Sequence, residues 1–489
     1  MRTRILPIFF SMAIALLSAS PSAAEQLFVG TATADITPEG PVALRGQFHL
    51  RISKSVETPL SAGIVALESR NGDQSLDAAV MVACDLISMP DDVRQMVREE
   101  VAKRVTGLDP AKIFLSGTHT HTAPVLEPGS FVLPKEGVLP IEQYRAFFVE
   151  RLADAITKAW SGRAPGSVTW GLGHAVVAYN RRAVYADGSA RMYGATNVPE
   201  FRGIEGYEDH DVNTLFFWNA EGSLAAVAIN VACPSQVVEG RSTINADYWY
   251  PVYTALRERY GQDLCILGWC GAAGDQAPRP MFRKAAEARM AKLRGLDAMP
   301  ELARRIVQAV DDTYAAVKDD RHNSVPLVHH VETVQLPMRL VTEAEYKESK
   351  AAQQSAAGAI AKDPKAADRS HTAMRWHGRT VARFEAQKDN PNPLHEMELH
   401  VVRIGDAVVC TNQFELFTDY GIQMKARSKA LQTFVVQLVG AGTYLPTERA
   451  VRGGSYSAIV QSNLVGPEGG QVLVDKTVAA IDAVFAPRE

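Results

Sequence analysis

Ile113-Phe114-Leu115-Ser116-Gly117-Thr118-His119-Thr120-His121-Thr122-Ala123-Pro124 is the stretch on which the reading of this chain turns. Ile113 to Leu115 is a short apolar strand that runs straight into two histidines two residues apart. Side chains i and i+2 of an extended chain share a face, so continuing the strand aims both imidazoles into one cleft. The flanking threonines suit extended backbone, and Gly117 lets a neighbouring chain come close. A lone His-x-His reads equally as an ordinary polar cluster or as part of a zinc site. Two imidazoles alone leave such a site short, because it takes about four ligands with one position kept for water. The remaining ligands would have to come from distant parts of the sequence.

Working outward, strand-like and helix-like segments alternate. Leu76 to Cys84 is an apolar strand; Ser88 and Asp91 then read as a capping box before a helix with Val93, Met96, Val97 and Val101 on one face. Beyond the histidines come an amphipathic helix (Ile141 to Trp160) and a strand (Val168 to Tyr179). Leu215 to Trp218 and Leu224 to Cys233 read as a hairpin around Asn219-Ala220-Glu221-Gly222. Tyr248 to Tyr260 is helical, Leu264 to Trp269 is a buried strand, and Pro300 to Val317 is helical. Thr342 to Asn392 is rich in Ala, Lys, Gln and Glu and reads as a helical insertion, 342–393, without a core of its own. Strand Glu398 to Cys410 and a last helix, Val472 to Phe485, follow. The expected architecture is α/β: one large domain, 25–489, with mixed sheet and active residues on loops at strand ends.

The chain has 489 residues, 46% hydrophobic and 22% charged, with a formal net charge of -4, so nothing points to nucleic acid. Arg2 and Arg4, the apolar run Ile5 to Ala19 and Ser22-Ala23-Ala24 form the pattern of a cleaved signal, residues 1–24, with a retained anchor as the alternative. No later stretch reaches transmembrane length, so a periplasmic or secreted mature protein is expected. Five cysteines are an odd, sparse set for an exported chain. Cys84, Cys265 and Cys410 read as buried thiols, and Cys265 and Cys270 on one strand face opposite ways. Asp247 reads either as acceptor for a site histidine or as cap of the following helix. His329 and His330, in apolar strand surroundings, read as structural. His371, His377 and His395 lie in or after the helical insertion and read as solvated, or as part of a lid that touches substrate.

Val29-Gly30-Thr31-Ala32-Thr33-Ala34-Asp35-Ile36-Thr37-Pro38, Cys84-Asp85-Leu86-Ile87-Ser88 and above all Ser116 to Pro124 resemble the neutral/alkaline, non-lysosomal ceramidases. The resemblance covers most of residues 28 to 487 and corresponds to that family's catalytic domain; the further C-terminal β-sandwich usual there has no counterpart residues. It implies that His119 binds zinc and that His121 handles substrate or a proton. It also implies Glu415, in Phe414-Glu415-Leu416-Phe417-Thr418, as zinc carboxylate and Tyr444 as a tyrosine ligand. Tyr456, twelve residues further on, would face the scissile amide, and Asn180-Arg181 would lie near the substrate.

Two departures stand out. Where the family has a second zinc histidine before Pro-Thr/Ser, this chain has Cys233-Pro234-Ser235. As thiolate, Cys233 would complete a Cys/His/Glu/Tyr set; as a thiol it would be a buried residue beside the site. Gly274-Asp275-Gln276-Ala277-Pro278 lacks the serine associated with ceramide cleavage. Gly271 to Gly274 reads as a tight turn into the site, since no Lys-Ser/Thr follows to make a phosphate loop. The expectation is a Zn2+ hydrolase of a linear amide in a lipid or small N-acyl substrate. A zinc esterase or lactonase, and a non-catalytic lipid- or sugar-binding relative, are the alternatives.

Overall fold

Three stretches of strand build three larger sheets, and each sheet carries one parallel pair at its edge. The computed structural model describes residues 25–363 and 367–487; the expected signal, 1–24, lies outside the described residues. The first sheet has strand order Ile113–Gly117, Gln74–Cys84, Ser61–Asn71, Gln26–Asp35 and Ala164–Pro165. The second is Cys265–Cys270, Leu224–Val231, Asp211–Trp218 and Ser167–His174. The third is Leu327–Pro337, Leu394–Ile404, Ala407–Thr411 and Gln432–Val436.

Each sheet is covered on its outer face by helices whose apolar residues recur at helical spacing. Asp91–Arg104 and Ile141–Ser161 cover the first, Trp249–Tyr260 and Ala298–Val317 the second, and Thr418–Arg427 and Pro467–Val484 the third. The inner faces meet in one shared core. Trp269 of the second sheet lies there between Phe114 of the first and Phe434 of the third, ring centroids 6.4 and 6.3 Å away. The expected α/β alternation is therefore realised as three helix-backed sheets packed about one centre.

Two local expectations are corrected. The helix Asp91–Arg104 starts from Pro90 with no side-chain cap; Asp91 and Asp92 in its first turn complement the helix dipole instead. Val93, Val97 and Val101 are buried as expected, but Met96 is 36% exposed, because the buried stripe follows the i, i+4 row. All five cysteines are buried and free.

The parallel pairs position the site. Cys84 pairs with Gly117, Val231 with Cys270, and Thr411 with Val436, so all three pairs run out at the same chain sense. The loops that leave their carboxyl ends carry His119 and His121, Gln236, Asp275, Glu415 and Tyr444. Crevices at carboxyl ends of parallel strands are the usual ligand seats of such sheets. The helix Ala367–Asp389 lines this crevice and packs against the helix Glu343–Lys362. The latter begins with a capping box between Thr342 and Glu345.

Candidate active site

The strand Ile113–Gly117 stops short of the histidines, and His119 turns into the left-handed region, φ 68°. The two imidazoles thus converge by a bend and not by strand alternation. A non-glycine residue there costs of order 1 kcal/mol and persists only when its surroundings hold it. His119 N–H donates to Leu86 O at 2.9 Å, and its Nδ1 lies 2.8 Å from Ile87 O. Gly117 makes this possible, since a Cβ there would sit 2.8 Å from Leu86 O. Thr120 and Thr122 both donate to Asn245 O at 2.7 Å.

These contacts fix one hydrogen. A carbonyl only accepts, so His119 Nδ1 carries a hydrogen, and Nε2 either donates to an anion or, in the neutral ring, offers a lone pair to a cation. Nε2 lies 3.4 Å from Glu415 Oε2 and 3.3 Å from His121 Nε2. Glu415 reaches this point because Glu415–Leu416 pairs in parallel with Tyr444–Leu445, with Glu415 directly opposite Tyr444. Cross-strand partners share a face, so carboxylate and phenol adjoin. Gly274 permits the approach, because a Cβ there would lie 2.2 Å from Glu415 O.

Arg181 closes the base of the site. Fully buried, it donates to Gly274 O at 2.9 Å, Tyr444 Oη at 3.2 Å, Tyr193 Oη at 3.2 Å and Gln236 Oε1 at 3.3 Å. Since Arg181 can only donate, Gln236 presents its oxygen there and its amide N–H to His121 Nε2, 2.8 Å away. Asn180 turns away from the cleft and holds Asp275 at 2.8 Å.

Burial pushes His121 well below the usual imidazole range, reinforced by His119, Arg181 and Arg51. Burial alone would raise Glu415, but His119, Arg181 and Tyr444 outweigh it and keep the carboxyl below its usual range. Burial and Glu415 push Tyr444 up against Arg181, and burial likewise raises Tyr456. Near neutral pH the site therefore holds a neutral His121, an ionised Glu415 and two protonated phenols.

Above this base opens a cleft of about 220 Å³. Phe48, Trp376 and Tyr456 form an aromatic wall, with centroids 5.5 Å from Phe48 to each partner and 6.1 Å between Trp376 and Tyr456. Trp376 belongs to Ala367–Asp389, so the helical insertion lines the cleft. His371 keeps a partly exposed position, in line with a solvated role, with its Nε2 3.2 Å from Gly129 O.

Of the expected site residues, His119, His121, Glu415, Tyr444, Tyr456 and Arg181 come together. Cys233 does not. Its Sγ points to Val177 O at 3.4 Å inside the apolar cluster with Tyr248 and Trp249, and burial pushes the thiol up. Among the described residues no three His, Cys, Asp or Glu side chains form a metal-binding group. The set that fits a cation is mixed: His119 Nε2, the Glu415 carboxylate and the Tyr444 phenol.

Three residues escaped sequence reasoning. Gln236 was hidden in the loop after Cys233, where a polar residue leaving an apolar strand was its only signal. Arg51 binds the backbone oxygens of Arg45, His121, Glu239 and Arg241 at 2.6–2.8 Å, tying three loops around His121. Gly46, φ 110°, lies so close that a Cβ would fall 2.5 Å from His121 Cβ and Cγ. Asp247 takes neither expected role; it accepts from Val238 N–H and Tyr248 N–H, each at 2.8 Å, and so shapes the loop beyond Gln236.

The architecture matches that of solved ceramidase structures. The chain superposes on the crystal structure of neutral ceramidase from Pseudomonas aeruginosa with a TM-score of 0.65 and 17% identity, over 95% of this chain and 76% of that one. A ceramidase structure complexed with C2 aligns with a TM-score of 0.63 and 14% identity, over 95% and 77%. The expected likeness to neutral ceramidases therefore holds at the level of the fold. The sequence matches no protein-family model and no curated protein.

Proposed function

We propose that this chain is an exported, zinc-dependent hydrolase of linear amides that takes an N-acyl compound into the cleft above His119 and Glu415. One observation carries the reading: His119 Nε2 and Glu415 Oε2 face each other at 3.4 Å, with the imidazole hydrogen committed to Ile87. With the ring neutral, these two atoms are both electron-rich and are stabilised by a cation between them, and Tyr444 adds a third donor. His119, Glu415 and Tyr444 would hold the ion. Bound there, zinc acidifies water and polarises a carbonyl. The shared fold with neutral ceramidases and the N-terminal signal pattern support the reading.

The chain's own residues supply the rest. His121, kept neutral by burial and oriented by Gln236, gives up the hydrogen bond from the Gln236 N–H to take a proton from the attacking water at Nε2, and regains it on passing that proton to the leaving nitrogen. Tyr456, kept protonated by burial, donates to the carbonyl oxygen as charge grows on it; one such donor can be worth about 3 kcal/mol. Arg181 balances the anionic base of the site. Phe48 and Trp376 cover the acyl side and keep water from it. Ala277 pairs with Tyr179 and is fully buried, so no serine nucleophile enters this scheme.

A panel of N-acyl amides and matched esters, incubated with and without chelator, tests the proposal. Chelator-sensitive release of fatty acid from an amide is expected. Turnover of esters alone, or amide turnover indifferent to chelator, would sink it.

A further inference from the structure

The rim of the cleft is cationic, and nothing in the amide chemistry above uses that charge. Its lining includes Arg45, Arg375 and Arg379, against one lining carboxylate, Glu415, which faces His119 at the base. Arg45 is answered by Glu127 at 3.0 Å. Among the described residues, neither Arg375 nor Arg379 makes an ion pair or hydrogen bond to a carboxylate.

The placement of these two is specific. Thr372, Arg375, Trp376 and Arg379 all line the cleft and follow i, i+3, i+4, i+7 spacing, so they form one face of the helix Ala367–Asp389. Arg375 and Arg379 are neighbours one turn apart, an arrangement that like charges disfavour. Burial and the neighbouring Arg379 and Arg45 depress the Arg375 guanidinium against the pull of Glu127, which is itself paired with Arg45. On a fully solvated helix face the same repulsion would be screened by water and salt. Trp376 on the same face reaches the Tyr456 ring, 6.1 Å away, so the arginines flank the reacting region.

We propose that Arg375 and Arg379, with Arg45, receive an anionic group of the substrate, so that the substrate class is an N-acyl amide bearing a carboxylate or sulfonate and not a neutral sphingolipid amide. This rests on the amide-hydrolase reading. The aromatic wall takes the apolar part, while the guanidinium pair offers charge-assisted, fork-shaped hydrogen bonds. A neutral head group leaves that pair unanswered in a partly desolvated cleft.

The test compares N-dodecanoylglycine and N-dodecanoyltaurine with neutral N-dodecanoylethanolamine, on the native protein and on R375Q/R379Q. Charge-assisted contacts of this kind favour the anionic pair by about tenfold or more in kcat/KM. The preference should shrink as ionic strength rises and fall to near unity in the double variant. Equal native rates, or a preference that survives in the variant, would overturn the proposal while leaving amide hydrolysis in place. If no amide is hydrolysed, the hydrolase reading fails separately, and binding decides this one by quenching of tryptophan fluorescence. Tighter native binding of N-dodecanoylglycine than of the ethanolamide, lost in R375Q/R379Q, supports it; equal binding refutes it.

Discussion

Replacing Gly46 by Ala should disable the site without touching any group that does chemistry. At φ 110° the backbone occupies a region that side-chain-bearing residues rarely adopt, and the new Cβ would fall 2.5 Å from both Cβ and Cγ of His121. Carbon atoms in contact need about 3.5 Å, so the ring or the loop must move by roughly 1 Å. His121 has little room to yield: Gln236 holds Nε2 at 2.8 Å and Arg51 holds its carbonyl at 2.6 Å. A misplacement of about 1 Å in a catalytic group can cost on the order of 100-fold in rate. The backbone strain should cost a further 1–3 kcal/mol or so of stability. The assay is kcat/KM on the best N-acyl substrate with denaturant unfolding in parallel. Gly40→Ala is the control, since a Cβ there meets nothing within 4 Å. Native turnover in a folded Gly46→Ala protein would refute the role given to His121.

Gln236→Leu removes the N–H that orients His121 and the acceptor that serves Arg181, so kcat should fall about 10- to 100-fold with little change in KM; a rise in KM alone would contradict that role. Burial raises the Asp85 carboxyl from 3.8 to about 6, despite donors from Ser61, Tyr253 and Thr118. Across that window the folded chain keeps a proton that the unfolded chain has lost, so this group's contribution to stability declines as pH rises through it. Asp85→Asn has no such titration. Its destabilisation relative to native, read by urea unfolding, should be larger at pH 4 than at pH 7.5, by at most about 3 kcal/mol. An equal difference at the two pH values would count against a protonated Asp85.

Much of this was legible in the sequence. Apolar runs such as Gln74–Cys84 and Cys265–Cys270, and the amphipathic Ile141–Ser161, announced themselves because hydrophobic period is a local property. The resemblance in the motifs around His119, Glu415 and Tyr444 indicated which distant residues meet. Conformations set by tertiary contact could not be read. The positive φ of His119 depends on carbonyls of Leu86 and Ile87 on another loop. The direction of Cys233 depends on the turn through Pro234, which sends Sγ toward Val177 and the apolar cluster. Gln236 and Arg51 matter through what they touch across the fold, more than 50 residues away in sequence, and carry no periodic signature.

Zinc content of the purified protein tests the central claim, that His119, Glu415 and Tyr444 form the metal-holding set and Cys233 lies outside it. Elemental analysis should find stoichiometric zinc in the native chain and in Cys233→Ser, and little in His119→Ala or Glu415→Gln. A native protein free of metal, or a loss in Cys233→Ser as deep as in His119→Ala, would contradict the account.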